Sequence, residues 1–436
     1  MQEDNMSDSV KTGSPYLDHA GRPRVVITGM GVVSPVGHTV STFWDAVVSG
    51  KHGIRMIDKE KYKGVRVNLA AEVVGFDPVS YMDRKEARRM DRYCQFAVVA
   101  AQEAIEMSGI DFSSMDPFDT GVIIGTGVGG LGTMNDQFEE LLLRGGPDRI
   151  SPLFIPMMIS NLAAGHVSMI HNLKGANYCV TTACASGTHA IGEAFHKIKL
   201  GYLKAAIAGG AEAPITRIAL AGFANMKALN MTDDPDLGSL PFDRRRGGFV
   251  IAEGAGLLVL ETMENAVGRN AKILAEIVGY GATADAFHIT SPDPDGKGAA
   301  MSMRLAMREG AVLPEEINYI NAHGTGTPLN DKYETIAIKE ALGDTAARSV
   351  SISSTKSVTG HLLGAAGGVE AVVSVLSIRD GIIPPTIGLQ ESDPECDLDY
   401  TPLCAKKKNV SVAMSNSLGF GGQNGTLLFR KVGKDI

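Results

Sequence analysis

Short apolar runs closed by glycine recur along the chain, and they set its predicted elements. Arg24-Val-Val-Ile-Thr28 stops at Gly29-Met-Gly31 and reads as a buried strand. Thr120-Gly-Val-Ile-Ile124 repeats the pattern and runs into Gly125-Thr-Gly-Val-Gly-Gly-Leu-Gly132. Residues 176–182 and 205–210 are further β-like runs. Between them, apolar spacing predicts helices over 42–49, 94–108 and 185–200. In the last of these, Ala190, Ile191, Ala194, Phe195 and Ile198 share one face, and Gly201 follows as a stop. The second half keeps this rhythm. Strands are predicted over 271–281, 317–321, 349–354, 410–415 and 425–430, and helices over 298–309, 331–342 and 361–379. Strands alternating with helices predict an α/β fold with central sheets. No linker rich in Pro, Ser or charge divides the halves, so they are expected to pack as one unit. Residues 1–23 are polar and read as a flexible tail.

Composition narrows this picture. The chain has 436 residues, of which 51 are glycine. That is roughly 12%, against about 7% in an average protein. The glycines cluster between apolar runs, which suggests tight turns beside a ligand. Lys and Arg total 41 against 49 Asp and Glu, a net charge of −8, which disfavours a nucleic-acid binder. No uninterrupted apolar stretch is long enough to span a membrane. The run from Val250 to Leu260 is too short and carries Glu253. The tail has no apolar h-region, and its Glu3, Asp4 and Asp8 argue against an organellar transit sequence. Five cysteines without C-x-x-C spacing argue against a disulfide framework or a structural zinc, and fit a reducing cytoplasm.

Four segments carry candidate chemistry. In Thr181-Thr-Ala-Cys184-Ala-Ser-Gly187, a β-like run meets a helix through small residues. Cys184 then sits at a helix N-terminus, where free N–H groups and the helix dipole favour a thiolate nucleophile. The competing reading is an inert core thiol. Asn321-Ala-His323-Gly-Thr-Gly-Thr-Pro328 and Ser353-Ser-Thr-Lys356-Ser-Val-Thr-Gly-His361 each follow a strand, where open α/β sheets collect ligands. Neutral imidazoles there could donate to an enolate or oxyanion. Lys356 reads either as a fixed charge beside them or as a surface lysine. Asn416-Ser-Leu-Gly-Phe420-Gly-Gly-Gln-Asn-Gly425 lies between the last predicted strands, with Phe420 either a gate or a buried hairpin residue. Gly125-Thr-Gly-Val-Gly-Gly130 fits G-x-G-x-x-G, but Asp148, near the spacing of the confirming acid, falls in a turn; a dinucleotide site is not expected. Asp83 to Arg92 is basic within an acidic chain, either a solvated helix face or a docking patch.

Together these motifs resemble the β-ketoacyl-acyl carrier protein (ACP) synthases, condensing enzymes of the thiolase superfamily. The match runs from about Arg24 to Val432 and is nearest the elongating type, 3-oxoacyl-ACP synthase II. The order Cys184, His323, His361 carries it, since the initiating type uses Cys, His and Asn, and a thiolase needs a second, late cysteine. The resemblance implies a thiolase-like five-layered αβαβα fold with two similar halves, 24–270 carrying the cysteine and 271–432 carrying both histidines. It implies a cytoplasmic homodimer that condenses acyl-ACP with malonyl-ACP through an acyl-Cys184 intermediate in fatty acid biosynthesis. It implies no organic cofactor, no metal, no nucleic acid and no membrane.

The resemblance also implies roles for single residues. The amides of Cys184 and Phe420 would form an oxyanion hole, and Phe420 would gate the acyl pocket. His323 and His361 would stabilise the enolate. Lys356 would order the His361 loop, with Glu334 or Glu370 nearby. Thr325 and Thr327 would bind the pantetheine arm. Asp285 and His288 match a second mobile loop at the substrate. Lys85, Arg88 and Arg89 would meet the acidic carrier. Asn321, Glu370, Ser415 and Asn416 match positions that hold a monovalent cation in some relatives. Two residues depart from the pattern: Val128, at the floor of the acyl pocket, where Ile is common, and Gln423, where Thr is usual. Val128 is expected to leave room for long or branched chains. A polyketide or specialised-lipid ketosynthase is the alternative, as is a non-catalytic chain-length-determining partner, which Cys184 disfavours.

Overall fold

The computed structural model describes residues 14–433. Ten strands form its main sheet: β1 (Val25–Val33), β2 (Thr120–Gly125), β3 (Asn177–Val180), β4 (Ala205–Glu212), β5 (Gly254–Thr262), β6 (Ala275–Ala284), β7 (Tyr319–Asn321), β8 (Ser351–Ser353), β9 (Val412–Gly419) and β10 (Gln423–Arg430). Their order across the sheet is β8-β7-β9-β10-β6-β1-β5-β4-β2-β3. Each block of five therefore has the same order, third-second-fourth-fifth-first. The pairings agree too: the second strand is parallel to the third and fourth, and the fifth is antiparallel to the fourth and first. The blocks meet where Val25, Val26 and Ile27 pair with Ile277, Glu276 and Ala275.

Five helices complete the layers: α1 (Arg92–Ser108), α2 (Ser186–Lys199), α3 (Lys297–Gly310), α4 (Pro328–Leu342) and α5 (Ala366–Asp380). α2 and α5 touch each other and strands of both blocks, so they form the middle layer. α1 packs on the first block and α3 on the second, with α4 on α3. The result is αβαβα. The middle layer is buried from both sides, which explains α5: apart from Arg379 and Asp380, its residues are buried all round. The largest apolar cluster joins both blocks through these two helices, with Ile191, Phe195, Val372 and Leu376 among its members.

Several boundaries differ from the sequence reading. Val250 to Leu260, read only as too short for a membrane, contains most of β5. The helix predicted to start at His361 starts at Ala366. His361 is instead bridged to Ile251, and Leu363 (φ 47°) turns the chain first. The supposed loop from Asn416 to Gly425 is mostly strand, and only Phe420, Gly421 and Gly422 form the turn. Of the expected tail, residues 1–13 lie outside the described residues. Residues 14–23 turn back on the body, with Leu17 bridged to Pro23 and Asp18 paired to Lys199 at 3.1 Å. Among the described residues, no helix is long and apolar enough to cross a membrane.

Candidate active site

The ends of strands from both blocks open on one cavity of about 500 Å³, lined largely by apolar groups. Cys184, His323, Thr325, Thr327, His361, Val128, Asp285 and Phe420 all line it. Lys356 lies just behind, and His288, Lys85, Arg88 and Arg89 lie elsewhere.

Cys184 stands on a strained turn between β3 and α2. Ala183 takes a left-handed backbone (φ 50°), which costs an alanine energy and needs outside support. Ser186 supplies that support: its Oγ donates to the Ala183 carbonyl at 2.6 Å and accepts from the Thr182 N–H at 2.9 Å. His189 adds a second brace. Its Nε2 donates to the Asn424 carbonyl at 3.2 Å, so its Nδ1 accepts from the Thr182 hydroxyl at 2.9 Å. In the sequence His189 looks like any helical histidine, with no spacing that marks this role. Burial pushes the Cys184 thiol up to about 12, against the opposing pull of the Lys356 charge and the Phe420 N–H.

Phe420 is carried by the β9–β10 hairpin. Gly419 brings that hairpin against the nucleophile's turn, for a Cβ there would sit 2.8 Å from the Thr182 oxygen and 3.2 Å from the Cys184 nitrogen. Gly421 and Gly422 (φ 83° and 71°) then reverse the chain. The loop after β6 is fastened to the same hairpin. Asp285 donates its N–H to the Gly422 oxygen (2.9 Å) and accepts from Asn424 Nδ2 (2.6 Å), and Gly421 donates to the Ile289 oxygen (2.8 Å). Asp285 thus lines the cavity while its carboxylate is engaged within the loop. His288 is exposed and folds onto that loop's backbone, its Nδ1 accepting from the Thr290 and Ser291 N–H groups.

The two histidines meet edge to face, with ring centroids 5.3 Å apart. Both are buried. Burial and the Lys356 charge hold both well below the usual imidazole range, so both are neutral at pH 7. Lys356 is itself buried, contrary to the surface-lysine reading. It pairs with Glu370 on α5 and lies 3.4 Å from His323 Nδ1. An ammonium only donates, so Nδ1 accepts and the His323 proton sits on Nε2. His361 is placed by its backbone, which exchanges hydrogen bonds with Val250 and Ala252 (2.8 and 2.9 Å). Its ring packs edge-on to Phe249 at 5.1 Å. Glu334 on α4 accepts the His323 and Gly324 N–H groups at 2.7 Å each. Burial pushes its carboxyl up to about 7, as it does that of Glu370.

The remaining candidates divide. The hydroxyls of Thr325 and Thr327 lie 3.0 Å apart on the cavity wall. Val128 is on the wall and 38% exposed. Lys85, Arg88 and Arg89 are exposed, on and just after the short helix Arg84–Ala87. Arg92, at the end of that basic stretch, turns inward to Glu253 (2.8 Å) and the Val73 carbonyl (2.8 Å). Asn321 Oδ1, Glu370 Oε2 and Ser415 Oγ are buried without a hydrogen-bond partner, and Asn321 and Ser415 are opposed across β7 and β9. Such oxygens suit a hard monovalent cation. The Asn416 side chain already has partners: its amide oxygen accepts from Thr426 and its nitrogen faces Met303.

The chain matches known proteins over most of its length. Residues 22–266 match the family described as "Beta-ketoacyl synthase, N-terminal domain", and residues 274–390 match "Beta-ketoacyl synthase, C-terminal domain". The chain is 49% identical over 411 residues to 3-oxoacyl-[acyl-carrier-protein] synthase 2 of Synechocystis, covering 94% of this chain and 98% of that one. It is 48% identical over 408 residues to the protein of the same name in Staphylococcus aureus, with the same coverage. Among solved structures, it resembles one chain of the structure described as a type II PKS acyl-carrier protein in complex with its ketosynthase bound to the hexaketide. The TM-score is 0.88 at 33% identity, covering 94% of this chain and 100% of that chain.

Proposed function

We infer the reaction from the family, for the chain belongs to the β-ketoacyl synthases. It is an acyltransferase that condenses acyl-ACP with malonyl-ACP to 3-oxoacyl-ACP, the elongation step of fatty acid synthesis. The observation that carries this is the meeting of Cys184 with two neutral histidines in one apolar cavity.

Each step uses groups already described. Cys184 Sγ attacks the acyl thioester carbonyl. The thiol's proton passes to the departing carrier thiol, and the acyl group remains on sulfur. The amides of Cys184 and Phe420 hold the oxyanion. Malonyl-ACP then enters along Thr325 and Thr327. Its carbon–carboxylate bond breaks, carbon dioxide leaves, and the electron pair becomes an enolate. His323 Nε2–H and an N–H of His361 donate to the enolate oxygen. A neutral donor suits this task, since it stabilises the charge without surrendering a proton. The carbanion attacks the acyl carbonyl, the new C–C bond forms, and Cys184 departs as thiolate and is reprotonated. Loss of carbon dioxide drives the sequence without a strong base. Burial, with the Lys356 charge, keeps both imidazoles neutral, and Lys356 fixes the His323 tautomer. Asn321, Glu370 and Ser415 would hold a monovalent cation, which would add positive charge beside the Lys356–Glu370 pair.

The partner is an acidic carrier protein that meets Lys85, Arg88 and Arg89. A second copy of the chain is the proposed permanent partner. β3 is a four-residue edge strand with an unpaired side, and the same half exposes Leu142, Leu143 and Ile155. All five cysteines are free, in keeping with the cytoplasm. Elongation of fatty acids is favoured over polyketide synthesis by identity, 49% against 33% for the ketosynthase. The test is incubation with acyl-ACP and malonyl-ACP. A 3-oxoacyl-ACP two carbons longer than the primer is expected. Absence of this product with folded protein would overturn the reading.

A further inference from the structure

The G-x-G-x-x-G turn after β2 has an internal ligand. Glu212, the last residue of β4, is fully buried and directs its carboxylate into that turn. Thr126 Oγ1 and the Val128 N–H donate to one oxygen, at 2.6 and 3.2 Å. The Gly127 and Gly364 N–H groups donate to the other, at 2.6 and 2.9 Å. Thr126 Oγ1 also accepts from the Gly129 N–H at 3.2 Å, which closes the turn on itself. The amides that would cradle a phosphate in a nucleotide-binding loop instead cradle this side chain.

Three of the four donors belong to the turn that presents Val128 to the cavity. The fourth belongs to Gly364, next to the wall residue Leu363 and three residues after His361. Only a carboxylate accepts from four donors in this way. An amide would turn an NH₂ group toward backbone N–H groups and leave them unpaired.

We propose that Glu212 is a positioning residue for acyl-chain selection: it fixes the Val128 wall of the pocket and joins it to the segment that follows His361. The proposal rests on the condensing-enzyme reading and deepens it. Glu212 also acts on the sulfur, since its charge opposes formation of the Cys184 thiolate. Removing that charge alters acylation for every chain length alike. The ratio between chains isolates the effect on the wall.

The test is transfer of acyl groups from a series of acyl-ACPs to Cys184, followed by mass spectrometry of the intact protein. Wild type, Glu212→Gln and Thr126→Val are compared. Thr126→Val keeps the shape of the side chain and removes one donor, so it decides the matter if Glu212→Gln does not fold. A loosened wall discriminates poorly at the chain-length limit. The expected result is a loss of about tenfold in discrimination between the last accepted and first rejected chain, the scale of one methylene in an apolar pocket. Thr126→Val should move the same way by less. An unchanged ratio, or an equal change for every chain, would overturn the proposal. No acylation of wild-type Cys184 would instead overturn the enzymatic reading, and this inference with it.

Discussion

The turns after β2 and after β7 occupy equivalent places in the two blocks, and each wraps two consecutive backbone N–H groups around a buried glutamate. In the first block, Gly127 and Val128 donate to Glu212. In the second, His323 and Gly324 donate to Glu334. The glutamates come from different elements, a strand end and a helix, yet the backbone device is the same. What differs is the side chain it presents: Val128 gives an apolar wall, and His323 gives a hydrogen-bond donor. The third strands repeat the contrast. β3 leads to Cys184 and α2, whereas β8 leads to Lys356, His361 and α5. The fold supplies two equivalent sets of positions. In the proposed mechanism one block would receive the acyl group and the other would activate malonyl.

That division is open to attack from each side. The largest effect should come from Cys184→Ala. Condensation should fall by about 10⁴-fold or more, while malonyl-ACP decarboxylation persists in the second block. Loss of decarboxylation in a well-folded variant would show that the stages are not separable.

Lys356→Met should leave Glu370 buried and unpaired, costing about 3–5 kcal/mol in denaturant unfolding. The double variant Lys356→Met, Glu370→Leu should recover most of that stability but not decarboxylation. Recovery of both would remove Lys356 from the mechanism.

His323→Ala should slow decarboxylation by about 10²–10³-fold, as for loss of one oxyanion donor. Acylation of Cys184 in a single turnover should survive. Equal loss of both would break the division.

Glu334→Gln should cost about 1–3 kcal/mol by leaving a buried N–H unpaired. It should also change the pH dependence. The Glu334 carboxyl is raised from 4.5 to about 7 in the folded chain, so its contribution is full below the unfolded value and is lost as pH rises toward 7. Melting temperature should therefore fall across that window in wild type and fall less in the variant. An unchanged slope would exclude Glu334 as the titrating group.

The smallest effect belongs to Val128→Ile, whose extra methylene should shift the acyl-chain profile toward shorter chains by no more than about tenfold. Identical profiles would deny Val128 a place on the wall that the acyl chain meets.

Much of this was readable along the chain, for physical reasons. Cys184, His323 and His361 each follow an apolar run and sit among small residues, a pattern with few explanations besides a site at strand ends. Lys356 was ambiguous because a buried lysine and an exposed one look alike until Glu370, fourteen residues on, is seen facing it. Glu212 was missed because a single acid ending an apolar strand has no local signature. Its partners lie 84 to 152 residues away in sequence. β5 was missed because a strand buried on both faces lacks the alternation that marks a half-exposed one. The start of α5 was misplaced because Leu363 takes a left-handed conformation that its side chain gives no reason to expect.

The most direct measurement is a pulse and chase on the nucleophile. The protein is mixed with acyl-ACP, digested and mapped by mass spectrometry, then the loaded protein is given malonyl-ACP. The acyl mass should appear on the peptide containing Cys184 and vanish on the chase as 3-oxoacyl-ACP forms. An adduct on Cys94, Cys179, Cys396 or Cys404, or one on Cys184 that malonyl-ACP does not remove, would contradict the assignment.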